Sequence, residues 1–147
     1  MILPDINLLV YAHDQGSPHH DKALGWWQGL LDGNEAVALA WVVLLGFVRL
    51  TTHPKVFENP MTVSESLARI EEWLSLPHLR IIDPPDHHFQ TWSHLLRAVG
   101  VGGNLTTDSH LAALCIERGI ILHTSDADFS RFPGLKWTNP LQGGPKK

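Results

Sequence analysis

Three aspartates bracket one stretch of the 147-residue chain: Asp108 in Asn104-Leu-Thr-Thr-Asp108-Ser-His, and Asp126 and Asp128 in Thr124-Ser-Asp126-Ala-Asp128-Phe129. Between them, Leu111, Leu114, Cys115 and Arg118 follow at helical spacing, and Gly119 is a natural helix stop. Thr106 or Thr107 can cap that helix, with Asp108 in its first turn. Ile120 to Thr124 is a short, β-branched apolar run, suited to a buried parallel strand. A helix and strand joined in this way return both ends to one edge of a sheet, so the acids at the two ends meet. A further acid, Asp5, stands just past the apolar run Ile2-Leu3-Pro4. Carboxylates gathered at one edge repel each other and stay ionised only beside a positive charge. A hard divalent cation such as Mg²⁺ or Mn²⁺ supplies it, keeps part of its water shell and accepts phosphate oxygens. A metal-bound water loses its proton readily and can attack a phosphodiester. The spacing therefore points to a metal-dependent phosphodiesterase or nuclease. The competing reading is a structural set, with Asp5 favoured by a helix dipole and Asp128 capping a turn.

The elements needed to position these acids alternate along the chain. Ile2–Pro4 reads as a strand, followed by a helix entered through Asn7 as cap. Helices are predicted over 19–32 (Ala23, Trp26, Trp27, Leu30 and Leu31 facing the core), over 41–50 as a buried apolar helix, and over 62–74, where Thr62 and Glu65 form a capping box. A further helix over 87–99, capped by Asp86, turns Phe89, Trp92, Leu95 and Leu96 inward. Strands are predicted at 36–39, 79–82, 120–124 and 135–138. This alternation predicts an α/β domain with a mainly parallel sheet covered on both faces. In such sheets ligands bind beyond the carboxyl ends of the strands, where Asp5 and Asp126 fall. One domain over 1–141 is expected, with 142–147 as a disordered tail.

Composition narrows the partners. A net charge of −4 argues against holding nucleic acid by a broad basic surface alone, yet leaves room for phosphate contacts bridged by metal. The single cysteine, Cys115, cannot form an internal disulfide and reads as a buried thiol, consistent with a cytoplasmic protein. No basic, apolar leader and no run of ~18 apolar residues is present in the sequence, so no membrane association is expected. The ten histidines include the adjacent pairs His19-His20 and His87-His88. Neighbours point around a helix rather than together, and no spaced His/Cys set suggests zinc.

Four segments carry a resemblance over nearly the whole chain: Pro4-Asp5-Ile6-Asn7-Leu8-Leu9-Val10-Tyr11, Phe47-Val48-Arg49-Leu50-Thr51-Thr52-His53-Pro54-Lys55-Val56-Phe57, Asn104-Leu105-Thr106-Thr107-Asp108-Ser109-His110-Leu111-Ala112-Ala113-Leu114, and Thr124-Ser125-Asp126-Ala127-Asp128-Phe129. In this order they resemble PIN-domain ribonucleases of the VapC toxin type. The resemblance implies a three-layer α/β/α PIN-like domain and an Mg²⁺- or Mn²⁺-dependent endoribonuclease that acts as the toxin of a toxin–antitoxin pair. It also implies an RNA substrate, a homodimer, and an antitoxin that covers the acidic site. Asp5, Asp108 and Asp126 match the catalytic, metal-holding acids, and Asp128 matches a further acid. Asn7 and Ser125 match polar positions that orient the carboxylates, and Arg49 a basic position near the site. One departure stands out: where many relatives carry a glutamate three residues before Arg49, this chain has Gly46. A site with fewer direct carboxylates is the expectation.

Two other classes compete. A PIN-like domain impaired by Gly46 could serve only to bind RNA or an antitoxin. A receiver-type signalling domain needs paired acids after its first strand, a phospho-acceptor aspartate after a middle one and a late lysine, and Asp5 stands alone. A nucleotide-binding domain needs a glycine-rich first loop, which Asp5-Ile6-Asn7-Leu8 is not. Arg49 has a structural reading as the partner of a nearby carboxylate. The tryptophans read as core or interface residues, or as platforms for an RNA base.

Overall fold

Leu3, Val37, Ala38, Leu39 and Leu122 are all fully buried. Strands buried on consecutive residues have both faces covered, which is the condition for a parallel sheet between helices. In the computed structural model, which describes residues 1–142, the strands are β1 (Ile2–Pro4), β2 (Val37–Ala40), β3 (Leu79–Ile82), β4 (Ile121–His123) and β5 (Trp137–Thr138). They form one sheet in the order β3-β2-β1-β4-β5, with every neighbouring pair parallel. The helices are α1 (Ile6–His13), α2 (His20–Asp32), α3 (Trp41–Thr51), α4 (Val63–Leu74), α5 (His88–Val99) and α6 (Asn104–Arg118), with a short 3₁₀ helix at Ala127–Arg131. Helix α1 packs on α2 and α3, α3 packs on α4, and α5 pairs with α6. The result is the expected α/β architecture.

The strand order reverses between β1 and β4. From β1 the chain builds outward through β2 to β3, then returns to place β4 on the other side of β1. Pro4 is in register with His123, and the Asp5 amide donates to the His123 carbonyl at 2.9 Å. Both carboxyl ends therefore open at this switch point, the usual place for a ligand crevice.

Several local expectations shift. Helix α1 begins one residue before Asn7, and Asp5 is its cap, accepting from the Ile6 amide at 2.7 Å. Helix α6 begins at Asn104 after Gly103, so Thr106 and Thr107 lie inside it and Asp108 is past the first residues rather than at the start. Gly103 supplies the left-handed backbone (φ 62°) that turns the chain into the helix. Asp86 does not cap α5; His87 occupies that position without a side-chain bond. The Thr62–Glu65 capping box is present, with both reciprocal hydrogen bonds.

The apolar helix α3 is buried on one face only: Val43, Leu44 and Phe47 face the core, whereas Trp41 and Leu45 are exposed. Leu67, Leu74 and Phe89 are also exposed rather than inward. Trp27 and Trp73 stack edge-on at 5.2 Å between ring centres, and Trp73 meets Phe47 at 4.9 Å, so two of the six tryptophans anchor the core. Cys115 is buried, and burial first, then the Asp5 charge, pushes its thiol up to about 12. It is inert packing. Of the expected tail, Gln142 closes a turn onto the Asn139 carbonyl, and 143–147 lie outside the described residues. No helix among the described residues is long and apolar enough to cross a membrane.

Candidate functional site

The switch point gathers the acids. Asp5, at the end of β1, is buried and held by two hydrogen bonds: Oδ1 accepts from the Ile6 amide at 2.7 Å and Oδ2 accepts from the Thr124 hydroxyl at 2.8 Å. Burial pushes its carboxyl above the usual range, the Thr124 and Ile6 hydrogen bonds pull it back, and Asp126 adds a further upward push. Thr124, just past β4, is fully buried and also accepts from the Asp126 amide at 3.0 Å. It thus bridges Asp5 to the loop that carries Asp126. Asp126 accepts from the Asp128 amide at 2.9 Å, capping the 3₁₀ helix. Asp126, rather than Asp128, is therefore the turn cap.

Asp108 reaches the same place from α6. It has no hydrogen-bond or ion-pair partner among the described residues. Burial first, then the charges of Asp5, Asp126 and Asp128, push its carboxyl up to about 6. That list of neighbours brings the four predicted acids into one electrostatic cluster. A small cleft of about 100 Å³ opens between α1, α3 and α6, lined among others by Asp5, Gly46, Arg49, Thr107 and Asp108. Arg49 is exposed at its edge and makes no ion pair among the described residues, so the structural reading of this arginine has no support.

Gly46 faces the cleft. A Cβ there would meet Ile6 Cγ1 at 3.3 Å, so the space where a side chain would begin is already partly taken by Ile6. Asn7 and Ser125 make no hydrogen bond to the carboxylates; the Asn7 Oδ1 atom is buried without a partner. Sequence reasoning missed Thr124 as the residue that ties the site together. Its signal was present: a hydroxyl ending an otherwise apolar strand, directly before the acidic turn.

The PIN domain family matches residues 2–135. Ribonuclease VapC33 of Mycobacterium tuberculosis (strain CDC 1551 / Oshkosh) is 41% identical, covering 97% of this chain and 99% of that protein. The chain belongs to the PIN-domain VapC ribonuclease family. Solved structures show the same PIN fold at lower identity. VapC20 of Mycobacterium tuberculosis, described as a sarcin-ricin loop cleaving toxin, superposes with a TM-score of 0.66 at 19% identity over 92% of this chain and 99% of that one. VapBC2 from Rickettsia felis bound to a DNA fragment from their promoter gives 0.66 at 23% identity over 95% and 98%.

Proposed function

We propose that this PIN-domain protein is a Mg²⁺- or Mn²⁺-dependent endoribonuclease and the toxin of a toxin–antitoxin pair. Asp5, Asp108 and Asp126 are its catalytic acids, and Asp128 is a further metal-holding group. The observation that carries the reading is Asp108: a carboxyl without a partner among the described residues, pushed up to about 6 by burial and by three other carboxylates. The activity assigned to its relative VapC33 by name supports the reaction class.

The donor set fits a hard cation. All four acids offer carboxylate oxygen, and a divalent ion would offset both the burial and the repulsion that raise Asp108. Among the described residues no three acidic, histidine or cysteine side chains already close on one point. With these donors and Gly46 in the cleft, a bound ion would keep part of its water shell. When bound, the metal supplies charge neutralisation and an acidified water.

The protein's own residues do the rest. Thr124 and the Ile6 amide fix both oxygens of Asp5, so this acid is aimed before any substrate arrives. The Thr124–Asp126 and Asp126–Asp128 bonds hold the second loop in place. Asp108 is left free to turn toward the incoming charge. Arg49, without an ion pair among the described residues and at the cleft edge, suits a non-bridging phosphate oxygen. Asn7 and Ser125, which make no hydrogen bond to the carboxylates, keep their proposed polar roles on the family resemblance alone.

Cleavage of single-stranded RNA in Mn²⁺ tests this. Asp5→Asn and Asp108→Asn should each reduce the rate by at least about 100-fold, the scale of removing a preorganised charged group. Cleavage unchanged by both would contradict the assignment. Gly46 favours one second reading, an impaired binding module, which the same assay excludes if the wild type cuts. The antitoxin is the proposed protein partner, supported by the paired VapBC2 assembly. Exposed Trp41, Leu45 and Phe89 suit a homodimer contact, checked by the mass in solution.

A further inference from the structure

A second hollow of about 340 Å³ opens beside the acid cleft, lined by Val42, His88, Trp92, Thr106, Thr107 and His110. Val42 and Thr107 line both, so the two spaces are adjacent across these residues. The size lies in the range of small-ligand pockets.

One wall of this hollow is a fixed polar chain across α5 and α6. Both Glu117 oxygens lie 2.8 and 2.9 Å from His88 Nδ1, and His88 Nε2 lies 2.8 Å from His110 Nδ1. The Glu117 side chain is 2% exposed and that of His88 15%. A carboxylate only accepts, so His88 Nδ1 carries the proton. With His110 Nδ1 engaged by His88, Nε2 is the ring nitrogen of His110 left without a partner among the described residues. Neither ring can rotate without breaking the chain. Another wall is equally fixed: Trp92 Nε1 donates to the Thr106 carbonyl at 3.1 Å, which holds the indole in place as an apolar surface.

We propose that this hollow is the nucleoside subsite of the RNA, seating the ribose and unpaired base next to the phosphate at the acid cleft, with His110 Nε2 on the ribose 2′-hydroxyl. This rests on the ribonuclease reading above and names the part of the substrate that the protein recognises. Three features fit. The hollow neighbours the acid cleft across Val42 and Thr107. The Trp92 indole offers the kind of face on which unpaired bases stack. A 2′-hydroxyl both donates and accepts, so it pairs with His110 Nε2 whichever of them carries the proton. DNA lacks that group, and the subsite therefore discriminates ribose from deoxyribose. A purely structural role, pinning α5 to α6, predicts no such discrimination.

Interference mapping separates the two. A randomised-sequence RNA pool, partly substituted with 2′-deoxynucleotides, is cut by the full chain in Mn²⁺, and the cut products are read for positions where deoxyribose is depleted. The wild type should show depletion on the order of 5- to 10-fold at one position flanking the cut, the scale of one hydrogen bond. His110→Ala should abolish that depletion, and His110→Gln, whose amide can reach a similar point, should restore part of it. A pool that is cut without depletion at any position overturns the subsite, as does depletion unchanged in His110→Ala. A pool left uncut by the wild type overturns the ribonuclease reading instead, and the subsite with it. Melting curves of both variants confirm that each is folded.

Discussion

Helix α6 carries two polar clusters that end very differently. Near its C-terminal end, Glu117 meets His88, and His88 meets His110, so each group in the chain has a partner supplied by the protein. Near its start, the charged groups that bear on Asp108 among the described residues are other carboxylates, and its carboxyl is pushed up to about 6 by burial and by their charges. Both clusters are partly withdrawn from water, and both would be costly if left unbalanced. One is balanced from within. The other has no balancing positive group among the described residues, and under the proposed function a cation takes that part. The paired network fixes its rings and leaves His110 Nε2 as its open end, whereas no cation among the described residues balances the acids.

Opening the closed cluster gives the largest stability change. Glu117→Ala strands the nearly buried His88 without its acceptor, and the loss of a charge-assisted bond at this depth should cost about 2 kcal/mol. For a domain of this size that lowers the melting temperature by roughly 4–8 °C. A change below about 1 °C would show that the chain of imidazoles contributes little. The rigid half of the open cluster comes next. Thr124→Val keeps the shape but removes the hydroxyl that Asp5 and the Asp126 amide share. It should cost about 1–2 kcal/mol in a urea titration and slow cleavage about 10-fold through misplacement of Asp5. Full activity in this variant would mean that Asp5 does not need its tether. The smallest effect is at Gly46. Glutamate there adds a carboxylate to the cleft, and Ile6 must yield by a few tenths of an ångström. Metal affinity should rise several-fold in a calorimetric titration, because carboxylate count tunes such sites. No gain would leave Gly46 without a part in the weaker donor set.

Much of the open cluster was legible in the sequence, because a parallel α/β chain puts the ends of its strands at one edge and acids just past those ends stand out. Asp5, Asp126 and Asp128 were found in this way, and the strand assignments fell within a residue or two of the structure. The caps were harder. Asp5 and Gly103 begin their helices where Asn7 and Thr106 or Thr107 looked equally able, since capping preference alone does not say which polar residue the tertiary fold will place at the turn. Hydrophobic spacing turns Phe89 inward and the apolar run 41–50 reads as a buried helix, yet Phe89, Trp41 and Leu45 are exposed, because a pattern of apolar residues does not say which of them meet a neighbour. The closed cluster was not legible at all. His88, His110 and Glu117 are far apart in the chain, and only the pairing of α5 with α6 brings them together.

The sign of the acid repulsion makes the comparison measurable. Asp108 is raised in the folded state from 3.8 to about 6, so the folded protein binds more protons than the unfolded one in that window. The Asp108 contribution to stability without metal is therefore fully present below 3.8 and is lost as pH rises through about 6. Asp108 is only half-buried, and solvent screening reduces the effect to about 1 kcal/mol. The most direct measurement is the melting temperature of wild type and Asp108→Asn above pH 6, first in EDTA and then with Mn²⁺ added. The cluster described here predicts that Asp108→Asn melts higher than wild type in EDTA, that Mn²⁺ raises the wild type, and that it raises the variant far less. An equal Mn²⁺ shift in both, or none in the wild type, would contradict the claim that these acids are a site for a cation.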